Sequence, residues 1–289
     1  MSGFNKLEKT ADNFSSIHSA LVYGLGELAS VLERNKIQYW LDFGTLLGAF
    51  RNGEFIPWDD DVDLSIDSQS FDKLISVVEE ELGHLFTVKV QNQGAPLLIK
   101  AKLILKGTTC NDFSLEDLGV NSLDHFGFSI DIFTLENSRD IPKQAIRLTE
   151  YSVRIWQMQK ISKFRKNNWY ASAKSKRIMW MIIAFVPKKI TSDLIHLLSR
   201  PIYTPTGEKY RYSITSGFWK VAHKKSEIYP LKTIVFEGME LKAPRKPESI
   251  LAKHYGESYL IPQESEHRKT HSTYFKVETS SPFNRFFKQ

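Results

Sequence analysis

The sequence predicts an α/β or α+β domain in which helices pack against a mixed β-sheet. Over the first 135 residues, segments with apolar residues at helical spacing alternate with short segments typical of strands. Hydrophobic residues make up 42% of the chain and aromatic residues 12%, which is enough to build a core and excludes a disordered chain.

The helical segments are recognised by their periodicity. Five apolar residues recur at helical spacing and predict an N-terminal amphipathic helix: Phe14, Ile17, Leu21, Leu25 and Leu28. Residues 46–50 predict a helical turn directly after Gly44 and Thr45. Residues 71–82 predict a further helix, which Ser68 or Ser70 caps.

The strands are recognised by short apolar runs and by alternation. Val62, Leu64 and Ile66 alternate with polar residues, which predicts a half-buried strand. This strand lies between the predicted helical segments at residues 46–50 and 71–82. Four other strands are predicted at residues 39–41, 86–90, 97–105 and 128–133.

Charge divides the rest of the chain. The net charge is +6, yet residues 151–192 contain ten Lys and Arg and no Asp or Glu, so the remainder is net acidic. We therefore expect a core at residues 1–150, a basic and partly apolar helical insertion at 151–205, and a C-terminal part at 206–289 that completes the same domain.

The basic stretch at residues 174–189 leaves two interpretations open. It is either a buried helix with solvated ends or an interfacial helix that makes peripheral contact with anionic membrane, because Lys and Arg beside Trp and aliphatic residues are typical of such helices. Binding of nucleic acid, with Trp156, Trp169 and Tyr170 stacking on bases, is a weaker alternative without a recognised motif, so no nucleic acid is expected as a partner.

An acidic cluster is the most unusual feature of the sequence. Asp59, Asp60, Asp61 and Asp63 place four carboxylates within five positions, and these repel one another unless a cation neutralises them. On a strand, Asp61 and Asp63 share one face, which suits Mg²⁺ or Mn²⁺. A solvated acidic turn is the alternative. A calcium-binding EF-hand loop is excluded because its required Gly and Glu are replaced by Leu64 and Ser70.

Two further segments bear on this cluster. Gly44 and Thr45 lie between a strand and a helix, where free backbone N–H groups are able to hold a phosphate. Asp131 interrupts the apolar run Ile130, Ile132 and Phe133 and has no obvious partner nearby in sequence, so a metal shared with the acidic cluster would explain it. Carboxylate repulsion then predicts that an Asn at any of these ligand positions leaves the metal-free fold intact or slightly stabilised.

Residues 39–51 (YWLDFGTLLGAFR) and 55–63 (FIPWDDDVD) together resemble the LicD/fukutin family of phosphotransferases, which has the nucleotidyltransferase fold. The resemblance continues at residues 130–133 and in C-terminal segments, so that it spans most of residues 14–271. The lack of a cysteine cluster resembles the bacterial type. The resemblance implies a nucleotidyltransferase-like mixed sheet flanked by helices.

The resemblance also implies an activity. A phosphorylated alcohol, phosphocholine or a polyol phosphate, would pass from a CDP-linked donor to a hydroxyl of a cell-surface glycan or its lipid-linked precursor, with release of CMP. Asp61, Asp63 and Asp131 would be the catalytic metal ligands for Mg²⁺ or Mn²⁺. Gly44, Thr45 and Arg51 would contact the donor phosphate. A nucleotidyltransferase that leaves the nucleotide on its product would use the same carboxylates.

The remaining candidates are weaker. Asp131 and His125 are both open as the general base, while His267, His271, Arg268 and Lys269 are either phosphate contacts or a solvated tail. The single cysteine, Cys110, excludes an internal disulfide and fits a reducing compartment. The first residues lack the apolar stretch of a signal peptide, so we expect a cytoplasmic protein, peripheral at most on the inner face of the membrane.

Overall fold

The computed structural model describes residues 4–8, 11–90, 101–110, 127–140, 202–213, 220–262 and 274–287, together with positions 147, 187, 190, 193 and 197. Nearly all of the expected basic insertion, including residues 174–186, lies outside the described residues. So do His125, His267, Arg268, Lys269 and His271.

The α-helices with described bounds are α1 Ala11–Arg34, α2 Phe43–Arg51, α3 Phe71–Leu82, α4 Lys225–Ile228 and α5 Pro247–Tyr255. Positions 147, 190, 193 and 197 are helical as well. The described strands are β1 Phe4–Glu8, β2 Tyr39–Leu41, β3 Asp61–Asp67, β4 Phe86–Val90, β5 Ala101–Leu105, β6 Thr108–Cys110, β7 Ser129–Ser138, β8 Lys209–Tyr212, β9 Ala222–Lys224, β10 Lys232–Phe236, β11 Met239–Ala243 and β12 Tyr274–Glu278. Short 3₁₀ turns occupy Ser68–Ser70 and Asn284–Phe286.

A mixed seven-stranded sheet forms the centre of the fold. Five of its strands run in the order β2-β3-β7-β5-β4, and β8 and β9 extend from β7. Strand β7 pairs in parallel with β3 and antiparallel with both β5 and β8. The long strand β7 therefore contacts three neighbours, and the predicted α+β class with a mixed sheet flanked by helices is confirmed.

Strands from the C-terminal part contribute to all three sheets of the described structure. β8 pairs with β7, and β12 pairs with both β1 and β6 in a separate three-stranded sheet. β10 and β11 form a two-stranded hairpin. The chain beyond residue 205 thus adds strands directly to elements from the first 140 residues.

The core lies between the central sheet and helices α1 and α3. The apolar stripe of α1 is buried, as its periodicity predicts, with Ile17, Leu21, Leu25 and Leu28 all fully inaccessible to solvent. Strand β3 alternates as expected at its start, because Val62 and Leu64 are buried while Asp61 and Asp63 lie on the more accessible face.

None of the helices that the structure describes has the length and apolar character needed to cross a bilayer.

Candidate active site

Three aspartates converge where β3 and β7 run side by side. The parallel register places Asp63 directly beside Asp131, and the period of two places Asp61 on the same face as Asp63. Carboxylate oxygens of Asp61, Asp63 and Asp131 all lie within 4.8 Å of one another. The strand pattern of the sequence predicted this convergence. The role of the three residues as metal ligands stays a prediction.

A second group of carboxylates adjoins the first. Oxygens of Asp59, Asp60 and Asp61 also lie within 4.8 Å of one another, so Asp61 belongs to both groups. The loop that carries Asp59 and Asp60 is fastened to α1, because His18 Nε2 lies 2.8 Å from the carbonyl oxygen of Asp59. A carbonyl only accepts, so this nitrogen of His18 carries the hydrogen.

The electrostatics of this cluster oppose full ionisation. Burial, followed by the neighbouring carboxylates of Asp61 and Asp60, raises the pKa of Asp59 well above its ordinary value. Burial also raises the pKa of Asp63, and the carboxylates of Asp61, Asp131 and Asp59 add to that shift. Protons or a cation must compensate the crowded charge, and five carboxylates with hard oxygen atoms are the donor set that Mg²⁺ or Mn²⁺ prefers. These residues therefore fit a divalent metal ion.

Gly44 and Thr45 lie in the first turn of α2, one step further into the helix than expected. Asp42 is the N-cap and accepts from the N–H of Phe43. The N–H of Gly44 donates to Asp63 Oδ2 at 3.1 Å, and the hydroxyl of Thr45 accepts from the N–H of Asp63 at 2.8 Å. Both residues thus hold Asp63, and the N–H of Gly44 that was expected to hold a donor phosphate is already engaged.

Gly44 is also required for space. A Cβ atom at this position would lie 2.7 Å from Asp59 Oδ2 and 3.6 Å from Asp63 Oδ2. The first distance is shorter than carbon and oxygen tolerate, so any side chain here would displace a carboxylate. Gly44 was predicted from the sequence as a site residue, but this steric reason for a glycine appears only in the structure.

Asp131 has two partners that the sequence argument missed. Lys102 Nζ lies 2.8 Å from both of its oxygens, and the hydroxyl of Ser129 donates to Asp131 Oδ1 at 2.8 Å. The expectation that Asp131 lacks a partner nearby in sequence was wrong, because Ser129 lies on the same strand face two residues earlier. The sequence feature that could have drawn attention to Lys102 is that it is the one charged residue within the apolar strand β5. The register that pairs it with Asp131 appears only in the sheet.

Lys102 is almost buried, with 13% of its side chain exposed, and Asp131 is only 2% exposed. Burial lowers the pKa of Lys102, but the carboxylates of Asp131 and Asp61 outweigh it and the net pKa is raised. The ammonium group is therefore charged and forms an ion pair with Asp131.

A buried hydrogen-bond network holds Asp42, the N-cap residue of α2. Asp42 Oδ2 accepts from the hydroxyl of Ser65 and from the hydroxyl of Tyr212, each at 2.6 Å. Tyr212 in turn lies 2.9 Å from His254 Nε2 on α5. Because its single proton goes to Asp42, the Tyr212 oxygen accepts from His254. Residues from the C-terminal part thereby fix the helix turn that holds Asp63.

The contacts of Arg51 and Tyr255 differ from each other. Arg51, expected to contact the donor phosphate, donates to the main-chain carbonyls of Tyr259 and Ile261 and thus holds the segment after α5. Tyr255 is 40% exposed. Its partial burial, followed by the carboxylates of Asp63 and Asp59, raises the pKa of its hydroxyl, which keeps that group protonated as a donor beside the acidic cluster.

The chain matches known proteins over the segment that carries this site. Residues 36–103 match the family model for the LicD/FKTN/FKRP nucleotidyltransferase domain. Ribitol 5-phosphate transferase FKRP from Homo sapiens and from Mus musculus is 56% identical over 39 residues, which are 14% of this chain and 8% of that protein. Lipopolysaccharide cholinephosphotransferase LicD from Haemophilus influenzae is 42% identical over 52 residues, which are 18% of this chain and 20% of that protein.

The chain therefore spans a fifth or less of the length of these relatives, all of which are phosphotransferases by name. The resemblance to the LicD family that the sequence indicated is confirmed over residues 36–103.

Proposed function

We propose that the protein is a metal-dependent phosphotransferase, because residues 36–103 match the LicD-family nucleotidyltransferase domain. It transfers a phosphorylated alcohol, phosphocholine or a polyol phosphate, from a CDP-linked donor to a hydroxyl of a cell-surface glycan or its lipid-linked precursor, and it releases CMP. The observation that carries the proposal is the convergence of Asp61, Asp63 and Asp131 from neighbouring parallel strands.

Asp61, Asp63 and Asp131 would hold the Mg²⁺ or Mn²⁺ ion. When bound, such an ion neutralises charge on the donor phosphate oxygens and on the departing CMP. Asp63 is oriented for this by the N–H of Gly44, and Asp131 by Lys102 and Ser129.

The proton of the acceptor hydroxyl requires a carboxylate that is able to accept it. Asp131 is poorly suited to this task, because Lys102 and Ser129 already hydrogen-bond to its carboxylate oxygens. Asp59, whose pKa is raised by burial and by Asp61, is better matched to accept a proton. Tyr255 adds a protonated hydroxyl at the edge of the same cluster.

The test is an incubation of the purified chain with Mg²⁺ and a panel of CDP-choline, CDP-ribitol and CDP-glycerol, with and without a glycan acceptor. We expect CMP release that depends on the acceptor, is abolished by a chelator and is lost in Asp61→Asn. Release of pyrophosphate from CTP, with the nucleotide found on the acceptor, would instead identify a nucleotidyltransferase. The absence of both products would refute the proposal.

A further inference from the structure

The turn of the β10–β11 hairpin contains a residue in an unfavourable backbone conformation. Phe236 pairs with Met239, so Glu237 and Gly238 form a two-residue turn, and their φ angles are +50° and +76°. Turns with two positive φ angles favour Asn, Asp or Gly, because a longer side chain crowds the backbone in the left-handed region. The conformation of Glu237 is therefore strained, and strain of this kind clusters at functional sites.

The backbone and the side chain of Glu237 both bind the loop of residues 53–60, which leads into the acidic cluster. The N–H of Glu237 donates to the carbonyl of Gly53 at 2.7 Å, and its Oε1 accepts from the N–H of Phe55 at 2.8 Å. Gly would relieve the strain at position 237 but has no side chain, and Asn is one methylene too short to span the same distance. The contact with Phe55 thus explains the glutamate, which the turn alone does not favour.

Phe55 is held on its other sides as well. Its ring, which is 6% exposed, stacks on the ring of His18 with centroids 4.3 Å apart and packs edge-on against Phe236 at 4.8 Å. His18 also donates to the carbonyl oxygen of Asp59. Glu237 therefore fixes the beginning of the loop and His18 fixes its end, and the ring of Phe55 connects the two contacts.

The position of the 53–60 loop matters because the loop ends within the acidic cluster. Carboxylate oxygens of Asp59 and Asp60 lie within 4.8 Å of an oxygen of Asp61. A shift of the loop would therefore move both carboxylates relative to Asp61. Misplacement of groups in an active site by about 1 Å costs up to about 10²-fold in turnover.

We propose that Glu237 is a positioning residue that holds the 53–60 loop, and with it Asp59 and Asp60, in place beside the proposed metal ligands. The strained turn is retained because it allows this contact. The inference rests on the proposed phosphotransferase function and assigns to that function a residue far from the acidic cluster in sequence.

The test measures CMP release, thermal unfolding and the amide hydrogen exchange of residues 53–60 in the full chain. In Glu237→Gly and Glu237→Asn the relief of strain offsets the lost hydrogen bond, so Tm should stay within about 3 °C of the wild-type value. We expect faster exchange across the loop in both variants and a kcat lower by about 10-fold or more. Glu237→Gln keeps an accepting oxygen on a side chain of the same length, so it should retain slow exchange and most of the turnover.

Lys36→Gly is the matched control. Lys36 is exposed, follows α1 and has a φ angle of +56°, so the substitution relieves the same kind of strain. We expect Tm to rise by about 1–4 °C. The exchange of residues 53–60 and kcat should both equal the wild-type values.

The outcomes separate the inference from the proposed function. Unchanged exchange of residues 53–60 in Glu237→Gly would overturn the inference, as would faster exchange with a wild-type kcat. Either result would leave the proposed function standing. A wild-type protein that releases no CMP would refute the proposed function and the positioning role together.

Discussion

Replacement of Asp131 by Asn is the most informative perturbation of this site, because the structure reverses the expected sign of its effect on the stability of the metal-free protein. Carboxylate repulsion alone predicts that the metal-free protein becomes slightly more stable. Asp131, however, is the ion-pair partner of Lys102, and the two side chains are only 2% and 13% exposed. The substitution would leave a buried ammonium group without a counter-ion.

The size of the expected destabilisation follows from the burial of this ion pair. Removal of one partner of a buried ion pair destabilises a protein by about 3–5 kcal/mol. The Asn oxygen still accepts from Lys102, so we expect the free energy of unfolding to fall by about 2–4 kcal/mol. By contrast Asp63→Asn should be neutral or stabilising, since the pKa of Asp63 is raised by burial and by surrounding carboxylates.

The measurement is chemical denaturation in the presence of a chelator. The double variant Asp131→Asn/Lys102→Met should recover most of the lost stability, because it removes the unpaired charge as well. Glu80→Gln, at an exposed position of α3 away from its N-terminus, is the control and should change stability by less than about 0.5 kcal/mol. If the free energy of unfolding of Asp131→Asn equals that of the wild-type protein, the ion-pair argument is refuted.

Three other predictions concern the surroundings of this pair. Gly44→Ala should lower turnover about 10²-fold, because its Cβ would lie 2.7 Å from Asp59 Oδ2. The control Gly26→Ala, whose Cβ would lie 3.3 Å from the sulfur of the flexible Met239, should leave kcat unchanged. Equal kcat values for the two variants would contradict the steric argument. Stability of the metal-free protein should fall as the pH rises from about 3.9 through the raised pKa of Asp63, because the folded state holds that proton more tightly than the unfolded state. Asp63→Asn should make this pH profile shallower, because Asp59, whose pKa is also raised, still contributes to it, and an unchanged profile would count against the shift. Tyr212→Phe should lower the free energy of unfolding by about 1–3 kcal/mol, as it removes a buried hydroxyl that donates to another side chain, and a thermal melt identical to that of the wild type would argue against that contact.

The sequence specified the elements around the site closely, because their signals are local. The alternation of Val62, Leu64 and Ile66 predicted β3, and residues 71–82 were predicted as the helix that the structure shows. The period of two was enough to place Asp61 and Asp63 on one face. Residues 39–63 also carried the family resemblance, which the family model confirms over residues 36–103.

The partners of the site residues were decided by tertiary structure, because each depends on a register or a contact between distant segments. Nothing in the run Ala101–Leu105 indicates that Lys102 lies opposite Asp131, since a shift of one residue in β5 would turn it to the other face of the sheet. Tyr212 reaches Asp42 across 170 positions of the chain. Local periodicity thus determined which carboxylates share a face, and only the packing of the sheet determined which groups neutralise and hold them.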